Sequence, residues 1–361
     1  MATVDKLDVL THDSIRIQLL QRLRGSSVNI PDLWHLMSHW PQGTHEEIER
    51  LDEDVQRVLT GLFSSPSDEG RLRKMKASNF ALFGALWWAH APFEALRIAT
   101  YLSIWLFVWD DETDSLEFSG ILNDANAAAK FRHETATYLQ ESLSGKSEID
   151  LIHISTNPIV TSFRPISEAI LKSCNRRQIN TLLDELLFFV EMCGEEQRYQ
   201  TTPYLPTIEE YNRIRVGSSA TRVCLATIEY AHGINLPEEI MNNQKMEQIW
   251  HETSIIISTA NDLKAQSQLD TLIPLLMLES RSIQDAIDHA ANIVSSSIKR
   301  FESAEEEILA QYSSMPNAHE DLRKFLEGCK CACTANLKWS ITSGRYQLGC
   351  QSMQDGIHLT L

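Results

Sequence analysis

Glycine and proline are scarce in this chain of 361 residues, which has 14 glycines and 11 prolines. Together they make up about 7% of the residues, against a usual ~12%. Folds built from strands and tight turns need these residues at their turns, so their scarcity disfavours a sheet-based architecture. The hydrophobic fraction of 43% is enough for a large buried core and excludes a disordered chain.

Positive charge is also in deficit, because the formal net charge at pH 7 is −17. Nucleic acids and anionic membrane surfaces would repel such a molecule, so we expect neither as a partner. An anionic substrate would have to be held by something other than the overall field of the protein. Bound metal ions are the simplest candidate for that role.

Long hydrophobic runs are absent as well. The longest uncharged stretch near the middle of the chain is residues 98–109, well short of the ~20 residues that span a bilayer, so we predict a buried helix there. Residues 1–13 lack the basic and apolar segments of a secretory signal. The seven cysteines, an odd number, favour free thiols in a reducing compartment. We therefore expect a cytoplasmic protein with no membrane span, as a monomer or a homodimer.

Helical periodicity dominates the rest of the chain. Residues 80–109 are apolar almost all round, which is typical of helices buried in the centre of a bundle. Apolar residues recur at helical spacing over residues 179–198, 246–266, 283–311 and 321–346. We predict an all-α protein with about eight to twelve helices and no sheet. Residues 76–361 would form the single domain, and the more polar residues 1–75 would pack on it.

The strongest candidate site is the sequence Asp110-Asp111-Glu112-Thr113-Asp114, directly after the apolar run. On a helix, Asp110 and Asp114 are one turn apart on one face, with Asp111 beside them. Like charges at this spacing repel each other, and a divalent cation such as Mg²⁺, which prefers hard oxygen ligands, removes that repulsion. The alternative is a solvated acidic helix end. Because the cluster ends the most apolar helix, we predict a metal site with Asp110 as its main ligand, assisted by Asp111 and Asp114.

The Asp-Asp-x-x-Asp pattern after an aromatic-rich helix resembles the first metal motif of class I terpene synthases. The preceding residues 104–109 are similar to those of fungal and bacterial sesquiterpene cyclases. Three further signals follow in the order that the family has them: a diphosphate-sensing arginine (Arg215), the opening of a second metal motif (Asn261-Asp262-Leu263) and a C-terminal Arg-Tyr pair (Arg345-Tyr346). The resemblance covers about residues 80–350.

The second metal motif departs from the family's pattern. The family has Asn, then Ser or Thr four residues on, then Glu or Asp eight residues on, which places three oxygen ligands on one helical face. Here these positions are Asn261, Ala265 and Leu269, and neither later side chain can bind Mg²⁺. A frame of the same spacing from Asp262 to Asp270, rotated by about 100°, could supply ligands instead. The simpler interpretation is a damaged site in which Asn261 and Asp262 remain as partial ligands.

The resemblance implies an antiparallel helical bundle around one central apolar cavity. It also implies Mg²⁺, up to three ions or fewer given the altered motif, bound with the diphosphate of a prenyl substrate. Arg215 and Arg345 would contact phosphate oxygens, because a guanidinium suits bidentate contacts, and Lys264 and Tyr346 would lie beside them. For Arg215 the alternative is a surface ion pair with the acids at 209–210.

Loss of the diphosphate would leave an allylic carbocation, which requires apolar and aromatic walls rather than water. Aromatic faces stabilise cations, and six side chains are candidates for this wall: Phe83, Trp87, Trp105, Phe107, Phe188 and Trp339. The resemblance thus implies a sesquiterpene cyclase that ionises farnesyl diphosphate and releases pyrophosphate.

Three alternatives stay open. The altered second motif favours a diverged member of the family that binds a prenyl diphosphate or cation and catalyses another transfer, such as coupling to an amine. A chain-elongating prenyltransferase would need a second Asp-Asp-x-x-Asp, and none follows residue 114. A non-catalytic binding protein with the same fold is the third alternative.

Overall fold

The computed structural model describes residues 6–115, 117–146, 151–263, 269, 271–345 and 356–360. Helices make up most of this part of the chain. The N-terminal half has α1 (Lys6–Leu23), α2 (Leu33–Leu36), α3 (Ile48–Leu62), a 3₁₀ turn (Pro66–Asp68), α4 (Glu69–Ala77), α5 (Phe80–Trp87), α6 (Phe93–Asp114), α7 (Ala125–Leu143), α8 (Pro158–Thr161) and α9 (Arg164–Ser173). The C-terminal half has α10 (Arg176–Gln200), α11 (Ile208–Ser218), α12 (Thr221–Ala226), α13 (Ile228–His232), α14 (Glu238–Met241), α15 (Gln244–Asp262), α16 (Leu272–Glu279), α17 (Ile283–Gln311) and α18 (Pro316–Thr342). The prediction of an all-α fold is confirmed.

Two short strands are the exception. β1 (Ser27–Ile30) pairs antiparallel with β2 (Ile357–Thr360), so that Ile30 lies opposite Ile357, and both of these isoleucines are buried. The ribbon packs against α17 through β1. The prediction that the chain has no sheet is therefore wrong in this detail. The ribbon joins opposite ends of the chain, and local periodicity carries no information about such a pairing.

Local sequence sets where the helices around the cavity begin. In a capping box, a side chain at the helix start accepts a backbone N–H three residues on, and the third residue bonds back. Three helices begin in this way: α10 with Asn175 and Gln178, α11 with Thr207 and Glu210, and α17 with Ser282 and Asp285. These contacts fix where α10 and α11 begin. Both helices carry, further along, side chains of the site described below.

The bundle is organised around the buried helix α6, which packs on α5 and α10. Across the cavity, α15 packs along α17 and α18. A Cβ atom built on Gly84 would lie 2.0 Å from Thr100 Oγ1, so only glycine lets α5 approach α6 so closely. Buried residues that precede α5, such as Leu19 and Leu51, belong to the same core cluster as the bundle. The division at residue 75 stays a prediction.

No helix in the described segments is both long and apolar enough to cross a membrane. The apolar stretch at residues 98–109 lies inside α6, directly before Asp110.

Candidate active site

A cavity lies between α5, α6, α10, α11, α12, α15 and α18. Its volume is about 200 Å³. Its apolar wall consists of Phe83, Trp87, Leu106, Phe107, Phe189 and Ile257. Its charged and amide lining consists of Asp110, Asp114, Glu196, Arg215, Asn261, Asp262, Asn336 and Arg345. The cavity therefore combines an aromatic wall with a concentration of charge.

One face of α6 supplies both kinds of lining. Ser103, Phe107, Asp110 and Asp114 all line the cavity, at the three- and four-residue spacing that places side chains on one helical face. Over about 16 Å of helix this face changes from small and aromatic to acidic. The structure thus places Asp110 and Asp114 together at the cavity, in the arrangement that their spacing predicts.

Asp111 has a different environment. It is buried, and Arg345 donates two hydrogen bonds to it, from Nη2 to Oδ1 at 3.0 Å and from Nη1 to Oδ2 at 3.3 Å. The Arg345 guanidinium also lies over the Phe107 ring, 5.0 Å from its centroid. The predicted third carboxylate of the metal site is therefore engaged by one of the two predicted phosphate-binding arginines.

Two carboxyl groups at the cavity, Asp110 and Asp114, have strongly perturbed pKa values. Burial, followed by the negative charges of Glu196 and Asp111, raises the pKa of Asp110 to about 7. Burial and the neighbouring charge of Asp110 raise the pKa of Asp114 well above its ordinary value. Neutralising these carboxylates requires either protons or a cation.

Asp110 and Asp114 suit Mg²⁺, because carboxylate oxygens are the hard ligands that this ion prefers and because a cation would offset the repulsion between them. In the part of the chain that the structure describes, no three His, Cys, Asp or Glu side chains are gathered into a metal-holding cluster. Mg²⁺ commonly binds to one or two carboxylates together with the phosphates of a substrate, and Asp110 and Asp114 could supply the carboxylates.

The second motif is arranged differently. Helix α15 ends at Asp262, which is buried. Its Oδ1 accepts a hydrogen bond from Arg215 Nη2 at 3.1 Å, and its Oδ2 accepts the backbone N–H of Leu272 at 3.3 Å. Asn261 Oδ1 accepts a hydrogen bond from Asn336 Nδ2 at 2.9 Å. Both predicted partial ligands are thus bonded to protein donors.

Arg215 is turned towards the cavity rather than towards the acids at 209–210. Its Nη1 lies 4.0 Å from Glu196 Oε1, and Glu210 is instead used in the capping box of α11. Arg215 Nε and the buried Ser218 Oγ have no hydrogen-bond partner among the residues described. Unsatisfied donors of this kind at a cavity are what an anionic ligand would satisfy.

The six aromatic side chains predicted for the wall divide into two groups. Phe83, Trp87 and Phe107 line the cavity. The other three are not among its lining residues: Trp105 donates its indole N–H to Ile159 O, Trp339 donates its own to Ser78 O, and Phe188 approaches Gly217 of α11. Predicted residues Lys264 and Tyr346 lie outside the described residues, as does Asp270 of the alternative ligand frame.

Sequence reasoning missed a second face that serves the site. Phe189 and Glu196 of α10 line the cavity, and Cys193 between them donates its thiol hydrogen to Asp110 Oδ1, with a sulfur–oxygen distance of 3.5 Å. The three residues are spaced at i, i+4 and i+7, so they share one helical face. Phe188 precedes this face by one residue and is rotated about 100° from it. In the sequence, the only sign of this face is the helical spacing of Phe189, Cys193 and Glu196.

The chain is similar in sequence to known enzymes over most of its length. The sequence model of the family described as terpene synthase family 2, C-terminal metal binding, matches residues 101–300, more than half of the chain. The chain is 26% identical over 347 residues to the sesquiterpene cyclase hepA of Aspergillus oryzae, covering 92% of this chain and 93% of that protein. It is 22% identical over 336 residues to the terpene cyclase braA of Annulohypoxylon truncatum, covering 91% and 88% respectively.

Solved structures show the same fold. The crystal structure of an α-eudesmol synthase superposes with a TM-score of 0.74 at 16% identity, covering 84% of this chain and 98% of that one. At this identity the likeness supports the helical bundle alone.

Proposed function

Since the chain belongs to terpene synthase family 2, we propose that it cyclises farnesyl diphosphate in a Mg²⁺-dependent reaction that releases pyrophosphate. The family resemblance predicted from the motifs is confirmed, and the protein is a terpene synthase. The choice of a fifteen-carbon substrate is supported by the name of the Aspergillus oryzae relative, a sesquiterpene cyclase that aligns over nearly its whole length.

One observation carries the proposal: Asp110, Asp114, Arg215 and Arg345 line the same cavity as the aromatic wall. An allylic diphosphate needs both environments at once. Its anionic group requires cations and donors, and the carbocation formed from its chain requires surroundings without nucleophiles. A solvated acidic helix end would leave the carboxylates away from any cavity.

The residues around the charged lining have distinct parts in the reaction. Bound Mg²⁺ would supply Lewis-acid stabilisation of the departing pyrophosphate. Asp110 and Asp114 would hold that ion, and Arg215 would direct its Nε, which has no partner among the described residues, towards phosphate oxygens. Arg345, fixed by Asp111 and the Phe107 ring, would present its charge beside the same group.

The apolar lining would control the cation. Phe83 and Trp87 are stacked, with ring centroids 4.8 Å apart, and Phe83 meets Phe107 edge to face at 5.8 Å. Aromatic faces stabilise a cation by about 0.5–2 kcal/mol each, and more when water is excluded. This packed group, together with Phe189, would fold the isoprenoid chain and keep water from the carbocation.

The test is an assay of the purified protein with farnesyl diphosphate and Mg²⁺, with gas chromatography and mass spectrometry of the products. We expect cyclic fifteen-carbon products and released pyrophosphate, both abolished by EDTA. Asp110→Asn should lower turnover about 10³-fold, because a metal ligand supports several kcal/mol of charge stabilisation. The matched control Glu306→Gln, which changes an exposed acid on α17, should retain wild-type turnover.

Two outcomes would contradict the proposal. Activity that survives Asp110→Asn unchanged would show that these carboxylates are not the metal site. Tight binding of a prenyl diphosphate without any volatile product would favour the alternative in which the chain transfers the prenyl group to another acceptor, such as an amine.

A further inference from the structure

We infer that Asn261 and Asp262, the described residues of the second motif, hold no divalent ion, and that the Arg215–Asp262 ion pair stands where a second metal site would be. Among the described residues, metal ions would then bind with the diphosphate on the α6 side, at Asp110 and Asp114. The inference rests on the proposed function in one respect, namely that the cavity takes a diphosphate with divalent cations.

The first observation concerns Asp262. Its side chain is 1% exposed, and both of its oxygens are used: Arg215 donates to Oδ1 at 3.1 Å and the Leu272 backbone N–H donates to Oδ2 at 3.3 Å. The Leu272 bond ties Asp262 to the start of α16. A metal ion at Asp262 would have to displace a guanidinium and disturb this helix start, leaving buried donors without partners.

The second observation concerns Asn261, the other candidate ligand of α15. Its Oδ1 accepts a hydrogen bond at 2.9 Å from Asn336, which is 3% exposed, and the hydroxyl of the buried Ser340 lies 3.4 Å from the same oxygen. Both partners belong to α18. The amide oxygen that a metal would need therefore already links α15 to α18.

The α6 side provides the contrast. Within the described part of the chain, the Asp110 carboxylate accepts one hydrogen bond, from the weak thiol donor of Cys193, and the Asp114 carboxylate accepts none. Glu196 adds a third carboxylate to the same lining. Oxygens with few protein donors are available to bind cations, whereas those of α15 already accept hydrogen bonds from protein donors.

The pairing also decides the sign of a mutational effect. Asp262 offsets part of the Arg215 charge, so its neutralisation in Asp262→Asn leaves more positive charge for a phosphate ligand. If Asp262 were a metal ligand, the same change would remove an ion and weaken phosphate binding. The two interpretations therefore predict opposite changes in affinity.

The experiment counts Mn²⁺ ions bound to the full chain in the presence of inorganic pyrophosphate, by electron paramagnetic resonance, and measures pyrophosphate affinity by calorimetry. Asp262→Asn and Asn261→Ala should retain the wild-type number of ions, and Asp262→Asn should bind pyrophosphate as tightly as wild type or up to about fivefold more tightly. Asp110→Asn and Asp114→Asn should each lose at least one ion. Thermal melting by circular dichroism checks that each variant is folded.

The loss of one ion in either α15 variant, or weaker pyrophosphate binding by Asp262→Asn, would overturn the inference and leave the proposed function standing. Retention of every ion in both Asp110→Asn and Asp114→Asn would instead contradict the metal site of the proposed function. The two α15 variants disturb different neighbours, so a local folding defect would not affect both in the same way. An equal change in the number of bound ions in Asp262→Asn and Asn261→Ala would therefore indicate loss of a ligand.

Discussion

The two helices that face each other across the cavity, α6 and α15, both end in acidic residues but use them differently. A carboxylate at the C-terminal end of a helix is opposed by the helix dipole, so both ends require a positive charge. On α15 a neighbouring helix provides it, because Arg215 of α11 bonds to Asp262. On α6, Arg345 reaches Asp111, whereas the raised pKa values of Asp110 and Asp114 show that their negative charge is poorly balanced by the protein. Whether an acidic motif becomes a metal site or an ion pair therefore depends on what packs across from it.

Beyond the loss already expected for Asp110→Asn, the largest effect should come from removing the charge of Arg215, which pairs with Asp262 on the α15 side. Arg215→Gln should lower turnover and pyrophosphate affinity about 100-fold, through the loss of charge-assisted contacts. It should also lower the free energy of unfolding by about 3 kcal/mol, because the buried Asp262 loses its charged donor. Steady-state kinetics and urea unfolding measure the two effects. Arg213→Gln, at an exposed position of the same helix, is the matched control and should change neither.

The double variant Arg215→Gln/Asp262→Asn separates these two effects. Removing both charges should restore more than half of the lost unfolding free energy, since the buried carboxylate that lost the Arg215 charge is then neutral. Turnover should stay low, because the guanidinium that we propose binds phosphate is still missing. Recovery of turnover together with stability would mean that Arg215 acts only as a structural partner of Asp262.

The long helices could be predicted from the sequence because their signal is local. The pattern over residues 179–198 lies within α10, and the pattern over residues 283–311 coincides with α17. The β1–β2 ribbon could not be predicted in this way. Its two strands are four residues each and come from opposite ends of the chain, so no window of sequence contains the pairing.

The site shows the same limit. The spacing of Asp110 and Asp114 was enough to predict that they share a face, because that relation lies within one helix. The pairing of Asp111 with Arg345 joins α6 to the turn after α18, and it depends on how the helices pack. Which of Phe188 and Phe189 lines the cavity depends on how α10 is rotated about its axis. The helices packed against α10 determine that rotation, so the local sequence does not show it.

A smaller effect is expected in the stability of the metal-free protein. Folding raises the pKa of Asp110 from 3.8 to about 7, so between these values the folded protein holds a proton that the unfolded chain has released. Stability is therefore present at low pH and is lost as the pH rises through this range. In EDTA, Asp110 should contribute a fall in unfolding free energy of about 1 kcal/mol per pH unit between pH 5 and pH 6.

Urea unfolding at several pH values measures this contribution as the difference between wild type and Asp110→Asn. The variant should show the shallower pH dependence, and Glu306→Gln should follow wild type. Saturating Mg²⁺ and pyrophosphate should also flatten the wild-type profile, because a bound cation takes the place of the proton. Equal slopes for wild type and Asp110→Asn would contradict the charge imbalance assigned to α6.

The smallest effect should come from changing Cys193. Its size tests whether the Asp110 carboxylate of α6 has a weaker protein partner than the Asp262 carboxylate of α15. Its thiol is a weak donor at 3.5 Å from Asp110, whereas Asp262 has a charged donor at 3.1 Å. Cys193→Ala should therefore lower kcat/KM only about twofold to fivefold, and Cys193→Ser, with a stronger donor, should recover most of it. Cys174→Ala controls for the loss of a thiol elsewhere in the bundle. A loss of kcat/KM in Cys193→Ala as large as the loss of turnover in Arg215→Gln would show that Asp110 depends on its protein partner as strongly as Asp262 does. The α6 side and the α15 side of the cavity would then not differ in the way argued above.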